Sequence, residues 1–294
     1  MDMQLLSALI SGFAVGSMYG LMALGFYITY AVSGTVNFAQ GSSMMLGAVL
    51  CYAFSQVLGW PIALAIFLAL MLCACYGQVV EFVAVRPFVR RGSNAWLMST
   101  VALGIVLDNI VMHTFGREPR SLPSAMAVTP IEFGELGLGV YPLQLIIPAV
   151  GLALAVLLHL VARRTRWGVA LLATAQNSDA ARLMGIPIKR TISLSFALSA
   201  VLAGIAGILI APLANVSAEM GMLFGLKAFA VAILGGITNA WGVMIAGILF
   251  GIAESVVTLT LGSGWTHIIT FGLMILALTI RPNGLFGRAE VNKV

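Results

Sequence analysis

The sequence predicts an all-α, polytopic integral membrane helical bundle of about nine spans, within a range of eight to ten. Three observations carry this. Hydrophobic residues make up 61% of the 294 and charged residues only 9%, where a soluble domain carries roughly 25% charged. Mean hydropathy is +1.06. The apolar runs approach or exceed the ~20 residues that a helix needs to cross a ~30 Å hydrocarbon layer. A strand barrel would instead show ~10-residue segments of alternating polarity, and no such alternation is present.

Apolar length and punctuation place spans near 5–32, 42–59, 62–85, 95–115, 143–162, 192–213, 223–236, 243–262 and 265–280. The seventh is short. No basic stretch precedes the first run, so it reads as a retained span and not as a cleaved signal. Gly12, Gly16 and Gly20 recur every four positions, as do Gly247 and Gly251. Such faces let helix backbones approach closely, within one chain or at a seam between copies. A single transmembrane domain over 1–294 accommodates the pattern.

The basic residues are unevenly spread. Arg86, Arg90 and Arg91 share one loop; Arg163, Arg164, Arg166, Arg182, Lys189 and Arg190 share another; Arg281, Arg288 and Lys293 lie in the C-terminal stretch. These are twelve of the fifteen Lys and Arg residues, and nine spans put all three segments on one side. The loop at 116–142 instead mixes Arg117 and Arg120 with Glu118, Glu132 and Glu135, and 214–222 holds only Glu219. The positive-inside rule then makes the N-terminus periplasmic and the C-terminus cytoplasmic, which requires an odd number of spans. Cys51, Cys73 and Cys75 sit inside apolar runs, and the last two point in different directions on a helix. They read as small buried hydrophobes, with no metal site expected.

One stretch interrupts the apolar pattern: "ATAQNSDAARLMGIPIKR", residues 173–190. Trp167–Gln176 can form a helix with Val169, Leu172 and Ala173 on a common face. Asn177-Ser178 supplies an N-cap for a second short helix from Asp179. Gly185 suits the left-handed position after that helix, and Pro187 prevents its continuation. Asp179 near its start and Arg182 near its end both agree with the helix dipole. Two roles fit a short, folded, basic element: an amphipathic segment on anionic lipid, or a docking element for a cytoplasmic partner.

Polar groups inside apolar spans are costly, and they face either a protein partner or a watery path. Asp108 and Glu254 head this group, with Asn109 and His113 following Asp108. Lys227, the only lysine near a span, can pair with one of the two acids. Two helix breaks add candidates for a path or gate, or for plain turn chemistry. "SGTVNFAQGSS" carries Asn37, Gln40, Ser42 and Ser43, and "LGGITNAWG" carries Gly235, Gly236 and Asn239. Both put an Asn and glycines ahead of an apolar helix, a weak internal repetition. His113, His159 and His267 are isolated, and no Ser-His-Asp grouping or paired acids can be assembled. No G-x-x-x-x-G-K-[ST] phosphate loop occurs, Gly221–Lys227 having the wrong spacing. These residues give an enzymatic role no positive support, and none of them suggests a cofactor bound by this chain.

"ARRTRWGVALLATAQNSDAARLMGIPIKR" followed by "LSFALSAVLAGIAGILIAPL" resembles the coupling loop and next span of branched-chain amino acid ABC transporter permeases. "GLMALGFYITYAVSGTVNFAQGSSMMLGA", "AFAVAILGGITNAWGVMIAGILFGIAES" and "RPNGLFG" resemble the same family, in matching order and over nearly the whole chain. Asn37, Gly41, Gly185, Gly235, Gly236, Gly242, Glu254 and 281–287 are the specific points, and the likeness is to the shorter of the two permease types. Asp108 departs from the family's frequent uncharged residue, and Gln40 stands where His is common.

The resemblance implies a permease subunit of a bacterial inner-membrane ABC importer. Its solute would be a branched-chain or related hydrophobic amino acid, or in related systems urea, amides or aromatic acids, moved by ATP-driven alternating access. The implied partners are a second permease, identical or different, two cytoplasmic ATPases that hold the ATP, and a periplasmic binding protein. Segment 163–190 would be the coupling element, with Trp167, Gln176, Asn177, Asp179, Ala180, Ala181, Arg182, Leu183 and Gly185 at the ATPase. From the residues alone, an ion-coupled secondary transporter using Asp108 or Glu254 is the alternative, followed by a scaffolding membrane subunit without a path.

Overall fold

Backbone amides and carbonyls inside a hydrocarbon layer have only each other as partners, so long apolar runs fold as uninterrupted helix. The computed structural model describes residues 2–133, 138–281 and 284–287. Glu135, Pro282, Asn283, Arg288 and Lys293 lie outside the described residues. Every one of the nine expected spans corresponds to helix. The helices are, in order, α1 (Asp2–Ser33), α2 (Gln40–Tyr52), α3 (Ile62–Val79), the short α4 (Arg86–Val89) and α5 (Trp96–Phe115). Then come the short α6 (Ala125–Val128), α7 (Pro142–Arg164), α8 (Arg166–Gln176), α9 (Ser178–Leu183) and α10 (Ile188–Ala214). The last three are α11 (Met220–Gly235), α12 (Ala240–Leu261) and α13 (Ser263–Ile280).

Among the described residues, seven helical runs are long and apolar enough to cross a membrane: Gln4–Ser33, Ile62–Val89, Trp96–Phe115, Pro142–Arg164, Ile188–Ala214, Ala240–Leu261 and Ser263–Ile280. The other two expected spans are shorter. One is α2 extended by a π-helical turn over Ala53–Val57, and the other is α11 with 16 residues. The loop at 116–142 holds a small antiparallel hairpin, β1 (Ile131–Phe133) with β2 (Leu138–Val140), in register Ile131 to Val140.

A second π turn, Val80–Val85, extends α3. It explains how a buried acid that periodicity did not reveal is satisfied. Glu81 is 3% exposed at its side chain and takes two hydrogen bonds from Arg86, at 2.9 and 2.6 Å. Residues five apart on a regular α-helix do not face each other. The π turn, with hydrogen bonds running from i to i+5, brings them to one side.

The chain forms two compact units, Met1–Tyr27 with Ser124–Ala155 and Lys227–Val294, and Ile28–Pro123 with Val156–Leu226. In the first, α1 and α12 pack backbone to backbone along the glycines singled out in the sequence. A Cβ on Gly12 would stand 2.8 Å from the Gly251 carbonyl oxygen, and one on Gly16 would stand 2.6 Å from that of Gly247. One on Gly20 would meet the Met244 sulfur at 2.7 Å. The expected glycine faces therefore close within one chain.

In the second unit α2 packs against α10, where a Cβ on Gly47 would lie 2.5 Å from the Gly204 Cα. Around them α3 and α5 complete the packing. Ala39, Val80, Ala84, Val85 and Phe196 form a buried apolar cluster there.

Candidate functional site

The polar segment folds as two short helices with an identifiable device at each boundary. Thr165 caps α8, its hydroxyl oxygen accepting from the Gly168 amide at 3.0 Å. Gly168 is required there: a Cβ would sit 2.1 Å from the Val161 carbonyl oxygen, so α8 folds tightly back on the end of α7. Asn177 stops α8 in an extended conformation and caps α9, its Oδ1 accepting from Asp179 at 3.1 Å and Ala180 at 3.0 Å. Gly185 closes α9 with φ +82°. The Gly185 and Ile186 amides donate back to Arg182 and Ala181 at 3.0 and 3.1 Å, the pairing of a Schellman motif.

The inward face of α8 differs from the expected one. Gly168, Leu171 and Thr174 are buried, whereas Val169 is exposed. Apolar spacing groups Val169 with Leu172 and Ala173, and the buried face is instead the one that carries Gly168. On α9, Ala181 is buried and holds the helix to its own chain, while Gln176, Asn177, Asp179, Ala180, Arg182 and Gly185 are exposed. Leu183 and Met184 are 89% and 83% exposed. Two adjacent large apolar side chains standing free, with Arg182 before them and Lys189 and Arg190 beyond, make an apolar knob in basic surroundings. The Trp167 indole Nε1 has no acceptor among the described residues.

The candidates around α2 separate by what they touch. Gln40 makes a reciprocal pair with Ser199 on α10, donating to its carbonyl at 3.0 Å and accepting from its hydroxyl at 2.8 Å. Ser43 donates to the Ala39 carbonyl at 3.1 Å, and Asn37 Oδ1 accepts from the Ala39 amide at 3.0 Å. All three side chains are fully buried; Gln40 is paired across to α10, whereas Ser43 bonds only one turn back on its own chain. Asn37 Nδ2 has no partner among the described residues.

Ser42 faces α5, 3.0 Å from where a Cβ on Gly104 would stand, and its hydroxyl is a hydrogen-bond partner of Asp108. Asp108 Oδ1 and the nearby Tyr76 hydroxyl are both buried without a partner among the described residues. Asn109 lies outside this group, exposed and donating to the Ile105 carbonyl of its own helix at 2.8 Å.

Glu254 takes the lysine. Lys227 on α11 donates to Glu254 Oε1 on α12, with the two side chains 3% and 14% exposed. The Lys227 ammonium lies 5.7 Å from the centre of the Tyr19 ring, which meets Phe250 edge-on with centroids 5.7 Å apart. Glu254 Oε2 has no partner among the described residues.

Asn239 caps α12, accepting from the Gly242 amide at 3.2 Å and donating to the Phe286 carbonyl at 3.2 Å. The Leu285 amide donates to the Leu234 carbonyl at 2.7 Å, so the 284–287 strap ties down the α11–α12 turn. Thr165, Gly168, Tyr19, Tyr76, Ser199 and Met184 were not singled out by sequence. Only Met184 carried a local signal, as a second large apolar residue just before the helix-ending glycine.

Comparison with known proteins agrees with this architecture. Residues 8–278 match the family model described as branched-chain amino acid transport system / permease component. The chain is 33% identical to the high-affinity branched-chain amino acid transport system permease protein BraD of Pseudomonas aeruginosa, over 98% of each chain. It is 32% identical to the corresponding protein LivH of Escherichia coli (strain K12), over 98% of this chain and 97% of that one. Among solved structures it matches PsaBC from Streptococcus pneumoniae in complex with Fab. That match has a TM-score of 0.51 at 16% identity over 95% of this chain and 92% of the other, a likeness of fold. With its multi-pass helical bundle and a family match over nearly its whole length, the chain belongs to the branched-chain amino acid transport permease family.

Proposed function

We propose that this protein is the membrane-spanning subunit of an ATP-driven importer for branched-chain or related hydrophobic amino acids in a bacterial inner membrane. The observation that carries the proposal is the α8–α9 element. Two caps, a Schellman ending and the Gly168 contact make it stiff, and a stiff element transmits displacement where a loose one absorbs it. The exposed Leu183 and Met184 give it an apolar knob for a groove on an ATPase subunit, and the flanking arginines and lysine give that contact its charge.

Sidedness supports the same reading. Helical runs over 40–57 and Met220–Gly235 are about 27 and 24 Å long at ~1.5 Å per residue, close to the hydrocarbon thickness. Counting both as crossings places Arg86–Arg91, Arg163–Arg190 and Arg281 on one face, the cytoplasmic one. The N-terminus is then periplasmic. A second permease subunit would complete the path, a periplasmic binding protein would deliver solute, and two cytoplasmic ATPases would hold the ATP and drive alternating access. This chain contributes no catalytic group.

The test is leucine uptake into sealed vesicles holding the assembled transporter. Uptake is expected to require ATP and to survive an uncoupler; uptake that needs a proton gradient and not ATP overturns the proposal. Converting the knob, Leu183→Glu with Met184→Glu, is expected to leave a folded membrane protein that releases the ATPase on purification in mild detergent. An ATPase that stays bound and active in this variant removes α9 as the coupling element.

A further inference from the structure

α1 and α12 meet at Gly12 and Gly251, and the pocket they line lies towards the N-terminus of α1. It is an open groove of about 620 Å³, within the ~300–1,000 Å³ typical of small-molecule sites. Its polar lining is Gln4, Ser7 and Ser11 from α1 and Glu254, Ser255 and Thr258 from α12. Val15 and Leu259 add apolar wall. Of the Lys227–Glu254 pair, Glu254 reaches this lining; its carboxylate takes Lys227 at Oε1 and has Tyr19 as a further hydrogen-bond partner, and Oε2 has no donor among the described residues.

We propose that this groove is a landing site for the ammonium end of an amino acid on the periplasmic side, with Glu254 as its counter-charge. The proposal rests on the importer reading and deepens it by naming the group that meets the solute. A carboxylate oxygen buried without a donor is an unfavourable arrangement that an N–H donor relieves. An ammonium supplies three donors, one for Oε2 and the others for neighbouring hydroxyls. The alkyl side chain of such a solute would lie against Val15 and Leu259.

The single substitution of Glu254 would strand a buried lysine, so the decisive variant is the neutral pair Lys227→Met with Glu254→Gln, made in the assembled transporter. Leucine uptake is expected to fall at least tenfold in vesicles that contain assembled complex. In native complex, 3-methylbutylamine, which keeps the ammonium and lacks the carboxylate, is expected to inhibit uptake, and this inhibition is lost in the double variant. A double variant that transports like the native protein makes the pair purely structural and overturns the proposal, as does an amine without effect on the native complex. Should the double variant fail to assemble, Ser7→Trp fills the groove from its rim without touching the pair. Assembled Ser7→Trp complex is expected to transport at least tenfold more slowly, and normal transport overturns the proposal. Native uptake driven by a proton gradient would sink the importer reading alone, since the same variants still report on the groove.

Discussion

Glu254 and Asp108 are both carboxylates set in apolar helices, and their surroundings treat them differently. Glu254 has a full counter-charge: Lys227 on the adjoining helix, itself lying near the face of Tyr19. Asp108 has a hydroxyl from Ser42, and its Oδ1, like the Tyr76 hydroxyl, is buried without a partner among the described residues. Burial of an ion pair costs both hydration shells, and much of its value lies in what happens when one member is removed. A lone carboxylate beside hydroxyls has no such partner to strand. The contrast teaches that similar acids in similar spans carry different penalties for substitution, set by whether a second charge depends on them.

The largest effect is therefore expected from Lys227→Met. It leaves Glu254 buried without its counter-charge and should destabilise the chain by about 3–5 kcal/mol, read as a lowered midpoint of thermal unfolding in detergent. A loss no larger than that of an exposed lysine would show that water reaches the carboxylate and would dissolve the contrast. Next comes Gly251→Ala, one turn from Glu254. Its methyl group would sit 2.3 Å from the Gly16 backbone, and forced separation of α1 and α12 should cost about 1–3 kcal/mol. The same assay reads it, with Gly272→Ala, which meets nothing within 4 Å, as the control expected to show no loss.

The smallest effect belongs to Asp108→Asn and Tyr76→Phe. Asp108 has no counter-charge and the Tyr76 hydroxyl no partner among the described residues, so either change should alter stability by less than about 1 kcal/mol in either direction. A drop as large as that from Lys227→Met would mean that Asp108 has a counter-charge of its own.

Local chemistry made much of this legible from sequence. Spans follow from apolar length, Asn177 and Asn239 are caps as their positions suggest, and Gly185 adopts the left-handed conformation its place after α9 implies. The glycine repeat announced a close helix contact, though not that Gly12 would meet Gly251. Sequence also named Lys227 as a partner for one of two acids without deciding which.

What stayed hidden depends on contacts far apart in the chain or on irregular backbone. Gln40 and Ser199 are 159 residues apart, so neither announces the other. The Glu81–Arg86 pair needs a π turn that no periodicity signals. Apolar spacing groups Val169 with Leu172 and Ala173 but is blind to the backbone contact at Gly168, on the face of α8 that is buried.

The strap over the α11–α12 turn has a consequence for how the protein is made. Phe286 supplies the acceptor for Asn239 from 47 residues downstream, and Leu285 caps the carbonyl of Leu234. At ~5–20 residues per second of synthesis, the ribosome leaves that corner unfinished for roughly 2–10 s after Asn239 has been made. A nascent chain arrested within this window would carry an open corner that proteases can tell from the finished one.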